Sequence, residues 1–478
     1  MSELHLPWLE LSILIPLLGA LGVGRVRDPD AARRWCLAIA GVTLACTVGA
    51  WQDFVWMHAA QADDAWSLIR LVFGRDYLVI DEFSAPLLPL AGLLYLLTAV
   101  ATLPSKVRRF PFAWALLSEA LVLATLACKE PWGVIGLLAA GTLPPYLELR
   151  ARGKPTRVFA VHMALFVVLL AGGWACVQAE GGGQVHSLWA IVPLLAAVFI
   201  RSGIVPVHCW MTDLFEHASF GSALLFVTPI PGAYAAVRLV LPIAPAWVLQ
   251  SIGMISLFTA VYAAGMALVQ REARRFFCYI FLSHSALVLV GLETVTPIGL
   301  TGALSVWLSV GLALAGFGLT LRALESRTGR LELTRFHGLY EHTPALAVCF
   351  LLTGLASVGF PGTFGFLGTE LLVDGAVEVY PQVGIAVVIA AALNGIAVVQ
   401  VYFRLFTGTR YASSVPLGIR RRERFAVLTL AALILGGGLL PQPGVASRHH
   451  AATAILQQRQ LPGSSPAPSH DTTPERPQ

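Results

Sequence analysis

The residues of this chain that could move a proton are few, and most stand alone in apolar runs. Glu119 lies inside Leu116-Leu-Ser-Glu-Ala-Leu-Val, and Arg201, Pro206 and His208 share the segment Arg201-Ser-Gly-Ile-Val-Pro-Val-His-Cys-Trp210. His162, His284 and Glu370 complete the set. A carboxyl or imidazole can pass a proton when it alternates between charged and neutral forms near a partner. An arginine stays charged and sets a field instead. For each group a plainer reading stands beside the chemical one: Glu119 as a neutral acid at a helix interface, pairing with Arg201 or a histidine in the other case; Arg201 as a snorkelling anchor; the histidines as satisfied structural residues. Asn394 and Gln400 read as interhelical hydrogen-bonding groups.

The elements that carry these groups follow from composition. Of 478 residues, 56% are hydrophobic and 12% charged, about half the charge of an ordinary soluble domain. Apolar runs long enough for a ~30 Å hydrocarbon core recur along the chain. They predict an all-α polytopic membrane protein of about fourteen spans. These are Trp8–Gly24, Cys36–Trp56, Phe83–Leu103, Phe112–Ala127, Trp132–Leu149, Val158–Val177, Leu188–Cys209, Ser222–Leu241, Val248–Val269, Phe276–Leu292, Gly299–Leu321, Ala345–Leu372, Gly384–Phe406 and Phe425–Leu440. The first of these reads as a retained span and not a signal peptide, since its basic residues follow the apolar run.

Basic residues cluster after odd-numbered spans, at Arg25–Arg34, Lys106–Arg109, Arg150–Arg157, Arg271–Arg275, Arg322–Arg335 and Arg410–Arg424. The positive-inside rule puts those loops in the cytoplasm and both termini on the other side of a bacterial inner membrane. The segment after Gly444 has few apolar residues and is expected to be disordered.

Two spans carry an interior proline, Pro206 and Pro361, and each is expected to break there. Breaks at corresponding places in two halves point to inverted repeats around an ion path. The organisation expected is N-terminal helices over 1–110, a first repeat over 111–241, a second over 246–408, a loop and last span over 409–444, and a tail over 445–478. The seven cysteines are scattered singly with no CxxC pair, so no iron–sulfur or zinc site is indicated. Gly181-Gly-Gly183 lacks the Lys-Ser/Thr of a phosphate loop. No redox cofactor, metal or nucleic-acid site is expected in the chain.

The run Arg201 to Asp213, with Ser222-Ala-Leu-Leu and Gly232-Ala-Tyr234, resembles the core of the antiporter-like subunits of proton-pumping NADH:quinone oxidoreductase (complex I), membrane-bound hydrogenases and Mrp-type sodium/proton antiporters. Gly359-Phe-Pro-Gly-Thr-Phe-Gly-Phe-Leu-Gly368 looks most like the complex I subunit of the M type, and Arg274-Arg-Phe-Phe-Cys-Tyr-Ile-Phe-Leu-Ser-His-Ser285 is similar to the segment opening span ten. The resemblance implies two inverted five-helix repeats, broken helices seven and twelve, and a midplane row of lysine, glutamate and histidine. It also implies integral membrane partners, with any NADH or quinone chemistry held by other subunits.

The chain departs from that row. The span-five glutamate falls near Ala139 or Ala140, the span-seven lysine at Arg201, and the span-eight lysine at Ile230 or Pro231. The histidine and lysine of span eleven fall near Val310 and Leu314, and the span-twelve group falls at Thr369, beside Glu370. Either Glu119, His162, His208, His284 and Glu370 form a rewired path, or the chain is a non-pumping scaffold. A membrane partner of an Mrp-type or inorganic-carbon uptake complex is the remaining alternative.

Overall fold

Long apolar stretches in a chain this poor in polar surface satisfy their backbone groups internally, and in lipid that leaves the helix. The computed structural model describes residues 2–67, 70–71, 74, 77–181, 186–408 and 418–460. Arg410, Gly182, Gly183 and the tail beyond 460 lie outside the described residues. The helices are α1 Trp8–Arg25, α2 Pro29–Met57, α3 Leu87–Val100, α4 Phe112–Ala127, α5 Pro131–Ala140, α6 Leu143–Ala151, α7 Arg157–Glu180, α8 Leu188–Ser202, α9 Cys209–His217, α10 Phe220–Val227 and α11 Pro231–Ala235, which runs on as a π-helical turn Ala236–Val240. There follow α12 Ala246–Leu268, α13 Ala273–Thr294, α14 Pro297–Thr328, α15 Pro344–Ser357, α16 Phe364–Val379, α17 Pro381–Phe406, α18 Arg421–Leu439 and α19 Gln442–Gln460. Among the described residues, eight helices are long and apolar enough to cross a membrane, and α3, α4, α8 and α15 are shorter apolar helices.

The breaks expected at the two prolines are present. Gly203, in the left-handed region at φ 70°, ends α8, and α9 starts only at Cys209. Between α15 and α16, Gly359 and Gly362 take φ of 84° and 87° around Pro361. A third break was not foreseen. The run expected to be one span over Ser222–Leu241 is interrupted at Thr228-Pro-Ile-Pro231, where Ile230 takes φ 47°. Pro231 has no amide hydrogen to donate, and the Ile230 amide bonds back to Val227. The run expected as Trp132–Leu149 is likewise two helices, α5 and α6.

The fold is helical as expected, with one small addition: β1 Ser2–Leu4 pairs in parallel with β2 Gln61–Asp64, which pairs antiparallel with β3 Ile80–Asp81. The Asp64 carboxylate of β2 accepts from the amides of Leu9 and Glu10, capping α1 from a distant strand because Pro7 offers no side-chain cap. The expected disordered tail is helical as far as Gln460. Arg448, buried, donates to the carbonyls of Glu82 and Phe83, and Arg459 donates to that of Leu241. Those tertiary contacts order a sequence too polar to be read as a helix by its apolar pattern.

The basic loops are tied together on one face. Arg33 reaches the Val100 carbonyl, Arg322 reaches Thr98 and Thr102, and Arg274 bridges Glu325 and the carbonyls of Phe215 and Ala218. Arg327 pairs with Glu423. Across the core, α14 and α16 approach at backbone distance through Gly299, Gly302, Gly368 and Gly375: a Cβ on Gly302 would lie 2.3 Å from the Leu372 nitrogen. Small residues are what let membrane helices pack so closely.

Candidate functional site

The third break positions the centre of the site. In an unbroken helix the Ile230 amide would bond to the Phe226 carbonyl. Here it turns to Val227, so the Phe226 oxygen is released and accepts Arg201 Nη2 at 3.3 Å. The guanidinium also lies 4.0 Å from the Phe226 ring centroid and 5.6 Å from that of Trp210. Each cation–π contact contributes roughly 0.5–2 kcal/mol, much less than the several kcal/mol that removing a charge from water costs. Arg201 Nε is buried without a partner, and its side chain lines a cavity of about 30 Å³ with Ser118, Thr125 and Tyr234. A volume of that size holds about one water. Gly232 permits this geometry, since a Cβ there would fall 2.2 Å from Ser202 Oγ.

Ser118 and Phe226 also line a second cavity of about 20 Å³, whose wall includes Glu148. Glu148 is buried on α6, accepts from the Ser219 amide at 3.0 Å and pairs with Arg152 at 2.9 Å. On the other side of α4, Ser118 shares a 2.7 Å hydrogen bond with the Tyr95 hydroxyl. Tyr95 lies within electrostatic range of both Glu119 and Arg201. Glu119 is fully buried with neither carboxyl oxygen bonded. Glu119 and Arg201, considered as a pair from sequence, do not bond.

The other candidates are dispersed. His208 opens α9, its ring 6.1 Å from Tyr262 and 6.0 Å from Tyr279, with Nδ1 unpartnered. His284 is buried in α13 with Nε2 unpartnered, next to the Ser283–Asn394 hydrogen bond of 2.8 Å that joins α13 to α17. His162 sits in the second turn of α7, bonding the Val158 carbonyl. Glu370 faces outward on α16, as do Asp374 and Glu378 at four-residue steps. Gln400 is exposed. Pro206 and Pro361 both lie on open surface at their breaks. Among the described residues no three His, Cys, Asp or Glu side chains are grouped as metal ligands.

Tyr95, Ser118 and Glu148 were not singled out from sequence. A signal existed for Glu148, an acid three residues after Pro144-Pro145 at the end of an apolar run.

The fold is a membrane helical bundle with paired helix breaks, one of them beside the buried Arg201. Residues 159–394 match the family described as NADH:quinone oxidoreductase/Mrp antiporter, TM, and the chain carries that family's membrane domain. Along nearly its whole length it is similar to NAD(P)H-quinone oxidoreductase chain 4 1 of Synechococcus sp. (strain JA-3-3Ab), 27% identical over 504 residues covering 97% of this chain and 95% of that one. Its fold matches a chain of respiratory complex I from Thermus thermophilus with a TM-score of 0.82 at 23% identity, covering 94% and 99% of the two chains. A chain of the Mrp complex from Dietzia sp. DQ12-45-1b gives 0.81 at 20% identity, covering 95% and 99%.

Proposed function

We propose that this chain is a membrane subunit of a complex I-type, ion-translocating assembly, and that its proton path is confined to the first repeat. Its partners are other integral membrane subunits, and the electron transfer that drives the assembly resides elsewhere in it. Counting α5–α6, α8–α9, α10–α11 and α15–α16 as single spans and leaving out α19, which bends 80° from α18, gives fourteen crossings. The basic loops then face the cytoplasm of a bacterial inner membrane, with both termini opposite. The first repeat, 111–241, and the second, 246–408, each contain one of the prolines read from sequence.

The observation that carries the path is the cavity-and-hydroxyl row from Glu148 through Ser118 and Tyr95 toward Glu119. A proton leaving the Glu148 carboxyl crosses the adjoining cavity by water to the Ser118 oxygen. The Ser118 hydroxyl hydrogen passes to the Tyr95 oxygen, and the Tyr95 hydrogen reaches the Glu119 carboxylate through a bridging water, since neither carboxyl oxygen bonds a side chain directly. Each hydroxyl gives one proton as it takes one, so neither ends charged. Arg201 exchanges no proton; it stays charged and sets a fixed positive field beside the row. In the second half Val310 and Leu314 are buried apolar residues where the resemblance implies titratable ones, and His284 has no ionisable neighbour bonded to it.

Two measurements test this. Purification of the tagged chain from its native membranes, with partners identified by mass spectrometry, should recover redox subunits. Recovery with a zinc-containing soluble protein instead would favour inorganic-carbon uptake. In proteoliposomes of the recovered complex, Glu119→Gln and Tyr95→Phe should each cut coupled proton movement at least about tenfold, in the range that positioned acid–base groups supply. His284→Ala should leave it unchanged. Full pumping in both first-repeat variants would sink the path and leave the scaffold role.

A further inference from the structure

A larger cavity, about 150 Å³, opens among the basic loops, and its wall includes Lys106, Arg109, Arg152, Arg274 and Arg322 against the one carboxylate of Glu325. These side chains come from the 3₁₀ turn Pro104–Arg109 and from the loop-side ends of α6, α13 and α14. Four separately anchored elements of chain therefore direct five cations into one space. Glu325 is already engaged by Arg274, at 2.5 and 2.6 Å, and Arg152 is held by Glu148. Arg322 donates to the Thr98 carbonyl at 3.0 Å and the Thr102 hydroxyl at 2.8 Å, which fixes it in place without neutralising it. No ion pair joins Lys106 or Arg109 to any acid among the described residues. Phe110 and Phe220 lie under Arg322 and Arg274, 5.1 and 5.7 Å from ring centroid to guanidinium carbon. They hold the two forks in orientation while their faces stay available.

Like charges gathered this closely repel, and the fold keeps them together only if an anion completes the site. The forks approach from different helices, an arrangement suited to an oxyanion with several acceptor oxygens and not to a planar carboxylate gripped by one arginine. At roughly 30 Å³ per water the space is about five waters, enough for one phosphate group and too small for a nucleotide. Its depth, where helices end and basic loops begin, is that of lipid headgroups.

We propose that this vestibule binds a phosphate group, supplied by the headgroup of an anionic phospholipid lodged between the 3₁₀ turn and α14. The site adjoins the first group of the proposed proton path through the Arg152–Glu148 pair, but its lipid retention is read without proton movement.

The test uses the full-length chain with whatever subunits accompany it, in nanodiscs of phosphatidylcholine alone or doped with phosphatidylglycerol. Retained lipid is read by native mass spectrometry after release, and thermal stability is read in parallel. Phosphatidylglycerol should be retained and should raise the unfolding midpoint. The Lys106→Ala/Arg109→Ala double variant, which breaks no side-chain hydrogen bond or ion pair among the described residues, should retain it roughly thirtyfold less well, the loss that two interfacial cations carry. Arg335→Ala, on the same face but away from the cavity, should retain it normally. Inorganic phosphate reproducing the midpoint shift in phosphatidylcholine discs, with the same loss in the double variant, would support the site and make free phosphate its source. Equal retention by double variant and wild type, or equal losses in the double variant and Arg335→Ala, would overturn the proposal.

Discussion

An Asp81→Ala variant should lose on the order of 3–5 kcal/mol of stability, the usual cost of removing one partner from a buried ion pair. Arg238 meets Asp81 in a two-pronged contact at 2.6 and 3.0 Å, with both side chains about nine-tenths covered. The same arginine donates to the Tyr234 hydroxyl, and Tyr234 stacks on Phe83, so the pair ties the loop before α3 to the far end of α11. Burial alone would raise the Asp81 carboxyl; the Arg238 guanidinium outweighs it and holds the group down at about 2. An unfolded aspartate titrates near ~3.9. The stabilisation tied to this ionisation is therefore complete above about pH 4 and is lost as pH falls through about 2. Linkage over that interval amounts to about 2.6 kcal/mol. The substitution costs more because it leaves a buried guanidinium without a counter-charge. Thermal unfolding in detergent near neutral pH should show the loss, and Asp81→Ala/Arg238→Met should recover most of it. A single variant as stable as wild type would mean that water already serves Arg238.

The second large effect is expected at the crossing of α14 and α16. Gly302→Val would place a side chain where a Cβ alone falls 2.3 Å from the Leu372 amide nitrogen and 2.7 Å from its Cα. Backbone cannot rotate away as a side chain can, so the helices must separate along the row that also holds Gly299, Gly368 and Gly375. Overpacking of a tight core costs about 1–3 kcal/mol, and more where backbone is the obstacle. The variant should yield little detergent-stable protein. Gly136→Ala, on a helix with nothing within 4 Å of its Cβ, should purify as wild type. Similar yields from both would show that the crossing adjusts more freely than its geometry suggests.

The spans and the two proline breaks were legible because both signals are local: an apolar run of sufficient length, and a residue without an amide hydrogen inside it. The break at Pro229-Ile-Pro231 carried the same signal, yet the run around it was apolar enough to pass as continuous. What it does, releasing the Phe226 carbonyl to Arg201, depends on two helices meeting and could not be read from either. Glu119 was visible as a charge out of place. Its connection to Ser118 and Tyr95 was not, because a serine and a tyrosine in membrane helices are unremarkable one by one and acquire a role only by their 2.7 Å contact. Glu370 illustrates the opposite case. Its place beside the family position suggested an inward role, but the one-residue shift, about 100° round a helix, turns it outward. The helix α19 was missed for a physical reason too, since its order comes from arginines reaching carbonyls hundreds of residues away.

That last feature bears on how the protein is made. Arg448 can bind the Glu82 and Phe83 carbonyls only after the intervening 360-odd residues have left the ribosome. At synthesis rates of roughly 5–20 residues per second, the loop before α3 waits on the order of tens of seconds for the partner that covers it. Early helices are therefore inserted with one of their surfaces still open. A chain stopped before residue 442 would reach the membrane with every span present and its clasp missing, an unfinished form that quality-control proteases could recognise by that uncovered loop.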